Sequence, residues 1–137
     1  MASTIRKLVY YSMKVANRPG SGAHLLDALK VAGVNLLAFT GFPERGGAQV
    51  DFVPDNDVAF RRAARKAGLR LSARKTVFLM QGDDRPGALT TALGKLAQAR
   101  INLVALDAVT AGKKRFGAIF WVKKQNVARA ARILKAR

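Results

Sequence analysis

The sequence predicts an α+β protein made of two copies of one small βαββαβ unit, each an antiparallel sheet with its helices on one face. Internal repetition carries most of that prediction. Asn17-Arg18-Pro19-Gly20 recurs as Asp84-Arg85-Pro86-Gly87, and Val34-Asn35-Leu36 recurs as Ile101-Asn102-Leu103. Both pairs are displaced by 67 positions (84 − 17 and 101 − 34), so the spacing within each unit is kept along with the residues. Further on, Asp57-Val58-Ala59 and Ala63-Ala64-Arg65 echo as Asn126-Val127-Ala128 and Ala130-Ala131-Arg132. Repetition at a fixed period marks one supersecondary unit used twice. The second observation is that apolar periodicity switches between 2 and 3.6 in the same order in each copy. The expected domains are residues 1–73 and 74–137.

In the first copy, Leu8 to Val15 holds Val9, Tyr10, Tyr11 and Met13, a β-rich run halted by Asn17-Arg18-Pro19-Gly20. Proline presets φ and glycine admits backbone that other residues resist, so this is a strand-to-helix turn. From Ser21 to Ala32 the apolar residues Leu25, Leu29 and Ala32 have helical spacing, and Gly33 is the stop. Val34 to Phe42 reads as a second strand, Pro43-Glu44-Arg45-Gly46-Gly47 as a hairpin turn, and Ala48 to Phe52 as a third strand. Pro54-Asp55-Asn56-Asp57 opens a helix with an apolar stripe of Phe60, Ala63, Ala64 and Ala67. Arg61, Arg62, Arg65 and Lys66 form its solvated face, and Gly68 ends it. A short fourth strand is expected at Leu69 to Ser72.

The second copy repeats the order: a strand from Thr76 to Gly82, the Asp84-Arg85-Pro86-Gly87 turn, and a helix with Leu89, Leu93 and Leu96. Strands at Ile101 to Thr110 and Arg115 to Lys123 flank a turn at Ala111 to Lys114, and a last helix carries Val127, Ala130, Ala131 and Leu134. This copy lacks its own fourth strand. An open sheet edge invites pairing, so the edge is expected to be filled from elsewhere, in a side-by-side or swapped arrangement. Its strands are also apolar on both faces: Phe116, Ala118, Phe120 and Val122 alternate with Ile119 and Trp121. Such a sheet needs a cover on each side, from the other unit or from a second copy of the chain.

Composition sets the remaining bounds. Half of the 137 residues are apolar, which makes the chain globular rather than disordered. There is no cysteine, so thiolate nucleophiles, disulfides and zinc–thiolate sites are excluded. No apolar run has signal-peptide or membrane-spanning length, and the expected location is the cytoplasm, with no membrane partner. The net charge is +17, with +6 in residues 1–72 and +11 in 73–137. A basic surface of this kind attracts polyanions.

These residues resemble the ACT domain, the small amino-acid-sensing module attached to many enzymes of amino-acid metabolism. The resemblance covers nearly the whole chain, as a tandem pair of ferredoxin-like units. Asn17-Arg18-Pro19-Gly20 followed by Ala32-Gly33-Val34-Asn35-Leu36 is similar to the regulatory domain of bacterial phosphoglycerate dehydrogenase. The resemblance implies a ligand where the first strand turns into the first helix, and sheets that join side by side in a homodimer. In that dehydrogenase serine is held by asparagines at the positions of Asn17 and Asn35, with a histidine two residues before the first. Here the histidine position is Val15; in the second copy the three positions are Gly82, Asp84 and Asn102. Many ACT domains serve as dimerisation surfaces without a known ligand.

Elementary chemistry favours the same turns. Backbone N–H groups at a helix start suit a carboxylate, and Gly20 and Gly87 let a ligand approach the backbone. Carboxamides offer both a donor and an acceptor, and Asp84 suits an ammonium. The candidate ligand-binding residues are therefore Asn17, Arg18, Gly20, Asn35, Asp84, Arg85, Gly87 and Asn102. The expected ligand is a free amino acid or similar small zwitterion. No cofactor or metal is expected, and no catalytic centre: His24 is the only histidine, and adjacent Asp83 and Asp84 diverge in a turn. With no enzyme or DNA-binding domain fused to it, the chain would act through its own oligomer or a protein partner.

An alternative is nucleic-acid binding. The RNA recognition motif shares the βαββαβ order, and Lys114-Arg115-Phe116-Gly117-Ala118-Ile119-Phe120-Trp121 partly matches the pattern of its third strand. On that reading Phe78 and Trp121 form a stacking platform beside Lys113, Lys114 and Arg115.

Overall fold

The computed structural model describes residues 3–137. Among the described residues the order is β1 (Thr4–Val15), α1 (Ser21–Val31), β2 (Leu36–Glu44), β3 (Gly47–Pro54), α2 (Asp57–Ala67), β4 (Lys75–Asp83), α3 (Thr90–Gln98), β5 (Leu103–Thr110), β6 (Arg115–Val122) and α4 (Val127–Leu134). A single 3-10 turn at Lys124–Asn126 precedes α4. The fold is thus α+β, and β-α-β-β-α occurs twice. Two compact units form: Val9–Lys75, and the residues up to Leu8 together with Thr76–Arg137.

In the Val9–Lys75 unit β3 is the middle strand, antiparallel to β1 and β2. Alternation along the strands sends Tyr11, Val50 and Phe52 to the face that meets Leu25 and Leu29 of α1 and Phe60 of α2. The aromatic residues form a chain of rings, Tyr11–Phe60, Phe60–Phe52 and Phe52–Phe39, with centroids 5.5, 5.3 and 5.4 Å apart. The buried Tyr11 hydroxyl donates to Asp57 Oδ1 at 2.7 Å. Asp57 Oδ2 in turn faces Arg61 at 3.3 Å and Arg74 at 3.7 Å. Burial, and then the bond to Asp57, raises the Tyr11 pKa above that of a free phenol. Asn56 caps α2 by accepting from the Ala59 N–H at 3.0 Å.

The fourth strand expected at Leu69 to Ser72 does not form; β4 begins only at Lys75. Leu69 and Leu71 still pack on the core, and the Ser72 N–H donates to the Ser12 carbonyl at 2.8 Å. The reciprocal ladder bond is missing because the Ser12 N–H donates to the Ser72 hydroxyl instead, at 2.9 Å. A serine side chain has replaced a backbone acceptor, and pairing stops after one rung. Lys75 Nζ then donates to Ser12 Oγ at 2.6 Å and lies 5.1 Å from the Tyr10 ring centroid.

The C-terminal unit resolves the open edge. Its strands run in the order β1, β4, β6, β5, with Thr4–Leu8 supplying the part of β1 that belongs here. The strand begins four residues before the expected Leu8, and Ile5 packs on this unit's core. On the other side of that segment the last residue closes the backbone: Arg137 N–H donates to Ile5 O at 3.1 Å, and Lys7 N–H to Arg137 O at 2.8 Å. The core gathers Phe78, Met80, Phe116, Ala118, Phe120 and Val122 of the sheet with Ala92 and Leu96 of α3 and Ala130 and Leu134 of α4. Phe78 and Phe120 stack at 5.3 Å. Val77, Leu79, Ile119 and Trp121, on the face away from those helices, are buried as well, as a sheet apolar on both sides requires.

Candidate functional site

The two repeated turns have folded differently. After β1, Asn17 to Gly20 leads straight into α1 at Ser21, with Gly20 at φ 91° as the N-cap residue and no side-chain cap. After β4, the matching Gly87, at φ 72°, is followed by a further turn before α3 starts at Thr90. Both copies close the turn alike, Ser21 N–H to Arg18 O at 3.3 Å and Ala88 N–H to Arg85 O at 3.1 Å; the bond from Thr90 N–H to Gly87 O at 2.9 Å holds the added turn of the second. Both glycines occupy the left-handed region that a side chain strains.

A solvent-open cavity of about 360 Å³ lies at the second turn. Asp84, Arg85, Gly87 and Thr90 lie along its polar part; Leu89, Leu93, Val109 and Phe116 supply apolar wall. Asp84 is anchored by its backbone, its N–H donating to Lys114 O at 2.8 Å. Its carboxylate makes no ion pair among the described residues, whereas neighbouring Asp83 accepts from Arg115 at 2.8 Å. The two adjacent carboxylates have therefore diverged, one into a structural ion pair and one to the cavity.

Three of the four candidate residues of the second copy, Asp84, Arg85 and Gly87, share this cavity. The fourth, Asn102, does not line it. It is exposed immediately before β5, past the far end of α3. The first copy divides the same way. Asn17, Arg18 and Gly20 precede α1, while Asn35 follows it, the 11-residue helix putting roughly 16 Å between its ends. Asn35 lines a different concavity, about 510 Å³, with Leu26, Lys30, Val34 and Phe39. Within one chain, then, neither asparagine position at a helix end reaches the turn at that helix's start.

Sequence reasoning missed the apolar wall. Leu89 and Leu93 read as helix stripe, and nothing in the repeat marked Val109. The signal in the sequence was the nearly uncharged apolar run of β5, whose Val104 and Val109 the structure leaves 61% and 69% exposed.

The aromatic platform of the alternative reading does not assemble. Phe78 and Phe116 point into the core beneath α3 and α4, while Trp121, one position from Phe120, lies on the opposite face. All three are buried, so no pair of rings is presented to a base. Among the described residues no cluster of three or more His, Cys, Asp or Glu gathers as metal ligands do. No helix among them is long and apolar enough to cross a membrane.

By sequence, no protein-family profile and no curated protein matches the chain. Solved structures do match by shape. Protein BT0572 from Bacteroides thetaiotaomicron aligns with a TM-score of 0.75 at 16% identity, over 97% of this chain and 88% of the other. The regulatory subunit of aspartate kinase from Thermus thermophilus, in a ligand-free form, aligns at 0.64 with 14% identity over 98% and 95%. The same subunit from Thermus flavus aligns at 0.63 with 13% identity over 98% and 95%. At these identities the likeness is one of fold: this chain has the α+β, ferredoxin-like fold of ACT-type regulatory domains.

Proposed function

We propose that this chain is a non-catalytic regulatory protein of tandem ACT type that binds a free amino acid and passes that state on through an oligomeric or partner interface. The observation that carries the reading is the cavity at the Asp84–Leu89 turn, where a carboxylate and a guanidinium from adjacent residues border an apolar wall. Ammonium and carboxylate are the two charges every amino acid presents, and charge-assisted hydrogen bonds to each are among the stronger polar contacts. The fold shared with regulatory subunits of aspartate kinase supports the reading.

A homodimer completes the site. β5 starts beside Asn102 and ends at Thr110 in the cavity. Antiparallel pairing of β5 with the β5 of a second copy brings one copy's Asn102 to the other's cavity. Edge strands with apolar, nearly uncharged sequences such as Val104-Ala105-Leu106-Asp107-Ala108-Val109 favour such pairing. Asn17 and Asn35 stand in the same relation across β2, the corresponding edge of the other unit.

The test is thermal unfolding of the full chain against each of the twenty amino acids. A ligand at about 100 times its dissociation constant stabilises by about 2.7 kcal/mol. A rise of several degrees with one or a few amino acids, lost in Asp84→Ala, is the expected result. A response to none of them refutes the reading.

A further inference from the structure

We infer that the cavity at the second turn selects amino acids with an apolar, leucine-sized side chain, and that it is the one such pocket in each chain; this deepens, and rests on, the reading of the cavity as an amino-acid site. Its charged side chains are adjacent and opposite in sign, Asp84 and Arg85. Once the α-ammonium and α-carboxylate are placed on them, a bound amino acid has only its side chain left to satisfy. That side chain faces Leu89, Leu93, Val109 and the Phe116 ring, with Thr90 and Thr110 at the margin and no further charged group in the lining.

An acid or amine carried there would give up part of its water to an apolar wall that offers no opposite charge. A buried polar group without a partner is costly, and a buried charge more so. At about 360 Å³ the space is at the small end of ligand pockets, which suits one amino acid better than a peptide or nucleotide.

The repeat supplies an internal control. The first copy keeps the turn sequence with Asn17 where the second has Asp84, but its helix begins directly after Gly20. The concavity on that unit is lined instead by residues around the end of α1, among them Lys30 and Asn35, with no acidic side chain. Of these two concavities, the one at the second turn offers an ammonium a carboxylate and the other does not.

Equilibrium dialysis of the full chain with leucine, isoleucine, methionine, alanine, serine, aspartate and lysine tests this. Leucine, isoleucine or methionine is expected to bind at one per chain, at least about tenfold more tightly than alanine, since one methylene in an apolar pocket is worth tenfold or more. Aspartate and lysine are expected to bind more weakly still, and serine no better than alanine. 3-Methylbutylamine and 4-methylpentanoate, each lacking one of the two charges, are expected to lose most of the affinity of leucine. Val109→Thr, an exposed substitution that leaves the core alone, should weaken leucine about tenfold while sparing alanine.

Preferential binding of serine, aspartate or lysine, abolished by Asp84→Asn, overturns the apolar selectivity and leaves the amino-acid site standing. Two molecules per chain overturn the single-pocket assignment. Binding of no amino acid overturns both the inference and the reading beneath it.

Discussion

Residues that the two copies do not share show what the fold tolerates. Gly33 and Gly68 end the helices of the first copy in the left-handed conformation; 67 positions on, Arg100 and Lys135 hold φ 58° and 54° at the same places. The closing bonds are retained, Ile101 N–H to Leu96 O at 2.9 Å and Ala136 N–H to Ala131 O at 2.9 Å. A side chain in that region costs about 1–2 kcal/mol, so Arg100→Gly is expected to stabilise by about 1 kcal/mol and raise the melting temperature by about 3–6 °C. Differential scanning calorimetry checks it. Tyr11 gives a pH dependence. Its folded pKa lies above the unfolded value of 10.0, so above about pH 10 the unfolded chain sheds the proton first and stability falls as pH rises through the folded pKa. The contribution is fully present below pH 10. Tyr11→Phe is expected to be less stable at neutral pH, having lost the bond to Asp57, and to show a shallower decline in alkali; denaturant melts at pH 8 and 11 measure both.

At the scale of elements, the first strand completes two sheets in turn. Thr4–Leu8 gives the C-terminal unit the strand that its own sequence omits, and the rest of the strand opens the other unit. Gly82 of β4 is the point where this matters most. A Cβ added there would fall 2.9 Å from Ser3 Cβ and 3.0 Å from the Phe116 ring. Gly82→Val is therefore expected to destabilise by about 1–3 kcal/mol through overpacking and to loosen the N-terminal segment, raising amide exchange over residues 4–8. Unchanged exchange there would separate the strand from Gly82. The same contact explains why Gly82, where the resemblance implies a histidine, has no room for one.

For the whole molecule, the open edges and the cavity bear on assembly. Val104 is 61% exposed on β5 and does not line the cavity. A charge on an exposed edge strand blocks pairing, so on the proposed β5–β5 dimer Val104→Lys is expected to yield a monomer in sedimentation-velocity runs while leaving the fold's circular dichroism unchanged. A dimer that survives Val104→Lys would place the interface elsewhere. If the proposed β5–β5 dimer carries Asn102 to the cavity, amino-acid affinity should fall together with the dimer.

The repeat, the α+β class, the positions of the helices and most strands, and the three turn residues Asp84, Arg85 and Gly87 that meet at the cavity are all legible in the linear chain. These are local properties: period, capping and turn chemistry act over a few residues and survive in the linear text. The rest depends on contacts between distant segments. Thr4–Leu8, with Arg6 and Lys7 masking its period, is a strand because its partners lie more than 60 residues away. Leu69 to Ser72 failed as a strand because the Ser72 hydroxyl took the Ser12 N–H, a competition between side chain and backbone that propensity does not register. Tertiary structure also separated Asn17 from Asn35 and Asp84 from Asn102, because a helix stands between the members of each pair. Finally it started one helix directly after Gly20 and the other three residues after Gly87, where the cavity lies. The words are nearly the same in both copies; the difference lies in where the helix begins and what packs beside it.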